Sequence, residues 1–252
     1  MKSTNLTVRN LGNYCSGEDL VSEEKNATYL GVAIKALILI AITIVSAIFS
    51  ARLFYNASPT LTLGLIIASA IGALVTGIIA QTRPHTTKIT GAIYAVCEGL
   101  LVGFICAIAT ASGIGGIIVP ALFSTLITFA VMTALYATRL IKVGKGLVNF
   151  LLIAGIGLFA SQLLLFIVTL IFPAFGAFIY LDTPLMIFVS AFMVIYASFF
   201  LLIDLNTVAS VVEGGMSKQY EWNASFGLVV TLIWIYIEFL RLFMLLARFR
   251  RK

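Results

Sequence analysis

Charge is what this sequence has least of. Only 10% of its 252 residues are Asp, Glu, Lys or Arg, against about 25% in an ordinary soluble domain. Hydrophobic residues make up 61%, and the mean hydropathy is +1.12. These values exclude a disordered chain and argue against a water-soluble globular enzyme. Histidine is scarcer still. His85 is the only one, in the polar stretch QTRPHTTK, which removes histidine-rich metal sites and most histidine-based catalysis. The three cysteines, Cys15, Cys97 and Cys106, make no paired framework. Cys97 and Cys106 lie in an apolar run, where a free cysteine acts as a small hydrophobe.

Other absences narrow the chemistry further. There is no P-loop, so ATP-driven transport by this chain alone is not expected. No metal-ligand spacing or phosphate-binding glycine loop occurs. A retinal protein needs a mid-helix lysine late in the chain, and none is present. Serine proteolysis within a membrane needs a nucleophile beside a base, and His85 is not placed for it. Asp204 lacks the Gly-x-Gly-Asp setting of an intramembrane aspartyl protease. We therefore expect no enzyme and no cofactor. The net charge of +6 is read as membrane topology rather than nucleic-acid binding, because the basic residues cluster in loops and at the tail.

What is present is a series of long apolar runs. A membrane-spanning helix needs about 20 residues, and seven fit: 31–54, 61–80, 91–110, 117–138, 147–172, 184–203 and 224–247. The expected fold is an all-α polytopic membrane protein. Residues 1–29 form a polar amino-terminal segment with Glu18, Asp19, Glu23 and Glu24. Residues 30–247 form the transmembrane domain, and 248–252 a basic tail. With the amino terminus in the cytoplasm, the cytoplasmic loops hold Arg83, Lys88, Arg139, Lys142, Lys145 and Lys218. The opposite loops hold only Arg52, as the positive-inside rule requires. The tail breaks that rule if all seven segments cross. A re-entrant last unit would return it to the cytoplasm, and seven full spans is the reading adopted. Gly99 and Gly103 form a G-x-x-x-G pair that permits close helix packing.

Ionisable residues at membrane depth carry the functional information, because each costs about 2.5–3.5 kcal/mol at a helix centre. Lys35 is near the start of the first span and reads as a side chain snorkelling to the interface. Glu98 lies well inside the third, with Tyr94 one turn before it on the same face. It is either a packed structural glutamate or a station on an ion path. Asp204 closes the sixth span, where it would cap or solvate the helix end. Glu238 lies inside the seventh, with Arg241 at i+3 as a pairing partner. Asp182 reads as a solvated loop residue.

Two stretches resemble a known family. ITGAIYAVCEGLLVGFI, with its Y-A-x-x-E-G-x-x-x-G pattern, is similar to the Bax inhibitor-1 family in its bacterial YccA-like branch. So is the end of the chain: an Asp closing the sixth span, Glu-Trp-x-Ala before the seventh, and a W-x-Y-x-E-x-L-R-L core. The resemblance covers about residues 31–247. It implies six helices surrounding a central seventh, and a plasma-membrane protein acting as a pH-sensitive calcium leak. Asp204 and Glu238 would then form a pH-sensing carboxylate pair between helices six and seven. Arg241 would be its counter-ion, and Glu98 a lesser path residue. Two interacting carboxylates titrate as a unit with one value raised, so a proton-controlled contact between helices six and seven would switch near physiological pH. The rival expectation is an interaction protein without flux, whose residues 1–29 engage and restrain a membrane-bound protease.

Overall fold

A computed structural model describes residues 26–141, 143–172 and 184–250. The acidic residues of the amino-terminal segment, Cys15, Lys142, Asp182 and the last two tail residues lie outside them. Among the described residues seven long α-helices follow one another: α1 Tyr29–Asn56, α2 Pro59–Thr82, α3 Thr87–Ala111, α4 Ile118–Ala137, α5 Lys145–Ile171, α6 Pro184–Glu213 and α7 Tyr220–Phe249. Short 3₁₀ turns, Pro84–Thr86 and Gly115–Ile117, precede α3 and α4. Among the described residues, six helices, α1 to α4, α6 and α7, are long and apolar enough to cross a membrane. The chain is thus an all-α multi-pass membrane protein.

Local chemistry sets the helix ends. Thr28 caps α1, its hydroxyl accepting from Gly31 N at 3.0 Å. Ser58 caps α2 with Pro59 just inside, where the missing N–H costs nothing. The last turns of α3 and α6 close through glycines at positive φ, Gly113 at 74° and Gly215 at 64°. At Gly215 the Met216 and Gly215 N–H groups donate back to the carbonyls of Val211 and Val212. This paired bond satisfies two of the orphaned carbonyls at a helix end.

That ending corrects the expected boundary of the sixth span. The apolar run stops at Ile203, but α6 continues ten residues to Glu213. Between Asp204 and the glycines nothing breaks a helix. Thr207 and Ser210 satisfy their hydroxyls on the carbonyls four residues back. Asp204 therefore lies about 13 Å inside α6 from Glu213 at 1.5 Å per residue, and it neither caps nor ends the helix.

The core is built around α7, which packs against α1, α2, α3, α4 and α6. The described packing of α5 is on α6, where Tyr196 Oη donates to the Leu151 carbonyl at 2.6 Å. α7 is one unbroken helix of 30 residues, about 45 Å long, with no re-entrant break. Its carboxy-terminal end lies beside Gly116 and Pro120 at the start of α4. Its amino-terminal end lies beside the start of α1, so the two ends of the described chain sit at opposite ends of the bundle.

α1 buries a narrow stripe, Val32, Ala36, Leu39, Thr43, Ser46 and Ser50, at alternating four- and three-residue steps. This stripe meets Gly99 and Gly103 of α3. A Cβ on Gly99 would collide with Ser46 Oγ and the Thr43 carbonyl, and one on Gly103 with Ser50 Oγ and the Ala47 carbonyl. The Thr43, Ser46 and Ser50 hydroxyls are satisfied on their own helix, so they fit a dry, close contact. Outward faces carry exposed Val45, Ile78, Leu126, Ile156 and Phe188, an apolar exterior suited to lipid and not to water.

Gly99→Ala and Gly103→Ala should each destabilise the bundle by roughly 1–3 kcal/mol through overpacking, seen as a fall of several degrees in the thermal midpoint of the detergent-purified protein. Gly64→Ala, where nothing lies within 4 Å of the added carbon, should leave the midpoint unchanged. Equal midpoints for all three variants would refute this packing account.

Candidate functional site

α6 and α7 run antiparallel, and their interface carries two of the carboxylates in question. Near one end, Val208 and Val211 of α6 pack with Ala224 of α7. Deeper, Tyr196 and Phe200 meet the Trp234 ring edge-on, with centroids 6.0 and 5.7 Å away. Asp204 falls between these layers. A Cβ on Gly227 would lie 3.3 Å from Asp204 Oδ1, and the Thr231 hydroxyl is near enough to act on the carboxylate. The other oxygen, Oδ2, is buried and has no partner.

Glu238 is two turns farther along α7 than Thr231, about 10 Å at 1.5 Å per residue. It is buried, its Oε1 accepts from Trp234 Nε1 at 3.2 Å, and its Oε2 is buried without a partner. The structure does not bring Asp204 and Glu238 into hydrogen-bond contact. Position 227, and not 238, is what α7 presents to Asp204. The Arg241 guanidinium is near enough for its charge to act on Glu238, but the two form no ion pair.

Glu98 of α3 is half-buried and accepts from Tyr94 Oη at 2.9 Å. The Tyr94 ring meets Phe226 of α7 edge-on at 5.1 Å, and Cys106 Sγ lies 3.6 Å from Tyr236 Oη. α3 and α7 are therefore parallel neighbours, and Glu98 sits at a depth between Phe226 and Tyr236. Asp204, Glu98 and Glu238 thus occupy separate places around α7.

The strongest electrostatic contact is one the sequence reading did not assign. Glu221, in the first turn of α7, is completely buried. Its Oε1 accepts from Thr28 N at 2.8 Å and from Thr28 Oγ1 at 3.3 Å. Its Oε2 forms an ion pair with Lys35 Nζ, the only ion pair among the described residues. Lys35 also donates to the Lys218 carbonyl and stands 5.6 Å from the centre of the Trp222 ring. So Lys35 is not snorkelling free; it is captured. Gly31 makes the site possible, because a Cβ there would collide with the Glu221 carboxylate. The carboxylate also sits at the amino-terminal ends of α1 and α7 together, where the unpaired N–H groups favour negative charge. The signal was present in the Glu-Trp-x-Ala motif at 221–224, which marked family likeness but named no partner for its glutamate.

Residues 10–248 match the family model described as Bax inhibitor 1 like. No curated protein matches the chain.

Lys35→Met leaves a buried carboxylate without its counter-charge and should cost roughly 3 kcal/mol. Adding Glu221→Gln to Lys35→Met should recover most of that loss. A double-mutant cycle read from unfolding midpoints tests the coupling, and strictly additive losses would exclude it.

Proposed function

The chain belongs to the Bax inhibitor 1 like family, and on that premise we propose that it permits a passive, pH-regulated leak of cations, calcium foremost, across a plasma membrane. One observation carries this reading. Asp204 Oδ2 and Glu238 Oε2 are buried at the α6–α7 interface, and neither has a hydrogen-bond partner. A carboxylate oxygen taken out of water is satisfied by a proton, a donor or a cation. With fixed donors lacking, protons and cations compete for the same two oxygens, and that competition is the basis of pH control.

The roles follow from position. Asp204, facing Gly227 and Thr231, is the sensor at the α6–α7 contact. A glycine and a hydroxyl, Gly227 and Thr231, stand opposite it. Glu238 is a second station two turns deeper, with Arg241 limiting the affinity of that station for a divalent ion. Glu98, tied to Tyr94, is a lesser station. The Asp204–Glu238 pair is here read as two stations in succession. α5 supplies a seventh crossing in this scheme. Arg83, Lys88, Arg139, Lys145 and Lys218 favour a cytoplasmic amino-terminal end. The motif likeness favours the bacterial YccA-like branch.

Calcium flux into proteoliposomes holding the purified protein, measured from pH 5 to 8, tests the proposal. Wild-type flux should vary with pH. Asp204→Asn should abolish most of that variation, and Glu238→Gln should reduce the flux itself. Folded protein giving no flux above empty liposomes would overturn the leak and favour a non-conducting partner of a membrane-bound protease. Deleting residues 1–25 would then test the protease contact.

A further inference from the structure

An uncompensated cluster of positive charge lies outside the α6–α7 interface. At the amino-terminal end of the bundle, α1, the turn before α3 and the turn before α7 enclose a cleft of about 330 Å³. Its lining includes Lys35, His85, Lys88, Lys218, Gln219 and Trp222. Three lysines face one carboxylate, Glu221, and that carboxylate is already engaged by Lys35 and Thr28. Lys88 and Lys218 are exposed and form no ion pair among the described residues. The cleft therefore holds an uncompensated positive charge of two lysines.

Its geometry is fixed by contacts across the chain. His85 Nδ1 lies 3.0 Å from Gln219 Oε1, joining the α2–α3 turn to the α6–α7 turn. Lys35 is held over Trp222 and against the Lys218 carbonyl. α3 starts at the cleft, directly after the 3₁₀ turn Pro84–Thr86 that carries His85. Deeper along the same helices, Ile38 of α1 and Ile89 and Ile93 of α3 are exposed, giving apolar surface at the depth of lipid tails. A tryptophan beside lysines at the end of a bundle is also what the headgroup layer selects.

We propose that this cleft binds the phosphate headgroup of an anionic phospholipid in the leaflet at the amino-terminal end. Lys88 and Lys218 contact the phosphate, Trp222 packs beside the glycerol region, and the acyl chains lie along α1 and α3. Basic pockets between transmembrane helices are suited to such headgroups. The volume is in the range of ligand sites, which begin near 300 Å³. The assignment does not depend on whether the protein conducts ions.

The test is the thermal midpoint of the full-length protein in neutral detergent, titrated with short-chain phosphatidylglycerol, short-chain phosphatidylcholine or inorganic phosphate. Phosphatidylglycerol should raise the midpoint in a saturable way, and phosphatidylcholine should not. The Lys88→Gln/Lys218→Gln variant should need at least about tenfold more phosphatidylglycerol for the same shift. An Arg248→Gln/Arg250→Gln variant, which removes two charges from the opposite end, should respond like the wild type. Both lysines are exposed, so the variant is expected to fold. An equal response of the lysine variant and the wild type, or equal losses in the lysine and arginine variants, would overturn the site. A shift reproduced in full by inorganic phosphate would overturn the lipid assignment.

Discussion

A carboxylate withdrawn from water is costly unless every oxygen is engaged, and the end of this bundle is organised around meeting that demand at Glu221. Thr28 supplies a backbone and a hydroxyl donor, Lys35 supplies the charge, and Gly31 supplies the space. Each requirement restricts another element. Thr28 must also cap α1, so the helix begins where the carboxylate is. Ser225, one turn into α7, donates to the Val32 carbonyl at 2.7 Å, holding the two helices in register. The Ala27 N–H donates to the Met216 carbonyl at 2.7 Å, which ties the approach to α1 onto the α6–α7 turn. The central helix is thereby anchored at one end by polar chemistry. Along the rest of its length it is held by packing.

Packing within the bilayer has no hydrophobic drive between helices, because lipid tails are as apolar as leucine. The molecule instead uses close approach. Small residues on α1 and α3 bring backbones together, and their hydroxyls are quenched on local carbonyls. Where α6 meets α7, aromatic rings fill the interface at Tyr196, Phe200 and Trp234. The buried acids stand on either side of that aromatic layer, Asp204 toward one end and Glu238 toward the other. The two acids implied as a pair by the motif likeness form no hydrogen-bond contact among the described residues.

Much of the fold was legible because lipid imposes a simple rule. Each apolar run long enough to span became a helix, and in six of the seven both ends moved by only a few residues. The exception, α6, shows the limit of that rule. Hydropathy reports where lipid contact stops, while the helix stops where backbone chemistry changes, at Gly214 and Gly215. Asp204 was misplaced for this reason. The site was less legible. Glu98 and Tyr94 share a helix, and their hydrogen bond follows from four-residue spacing. Lys35 and Glu221 are 186 residues apart, and no local pattern joins them. The relation of Asp204 to Gly227 depends on how two helices are aligned across a turn, which residue type does not encode. Glycine at 227 is informative only once its neighbour is known.

The Lys35–Glu221 contact joins the first helix to the last, and that separation sets the order in which the protein can be completed during synthesis. Translation at about 5–20 residues per second leaves α1 in the membrane for roughly 10–40 s before α7 emerges. During that interval Lys35 has no carboxylate and must reach the headgroup layer by its own flexible stem. Snorkelling, which fails as a description of the finished molecule, is then the state of the nascent one. The seventh helix arrives carrying the missing charge, and its docking removes Lys35 from the membrane surface. A chain terminated before residue 221 would retain an uncompensated lysine on α1, a feature by which membrane quality control can distinguish it from the completed protein.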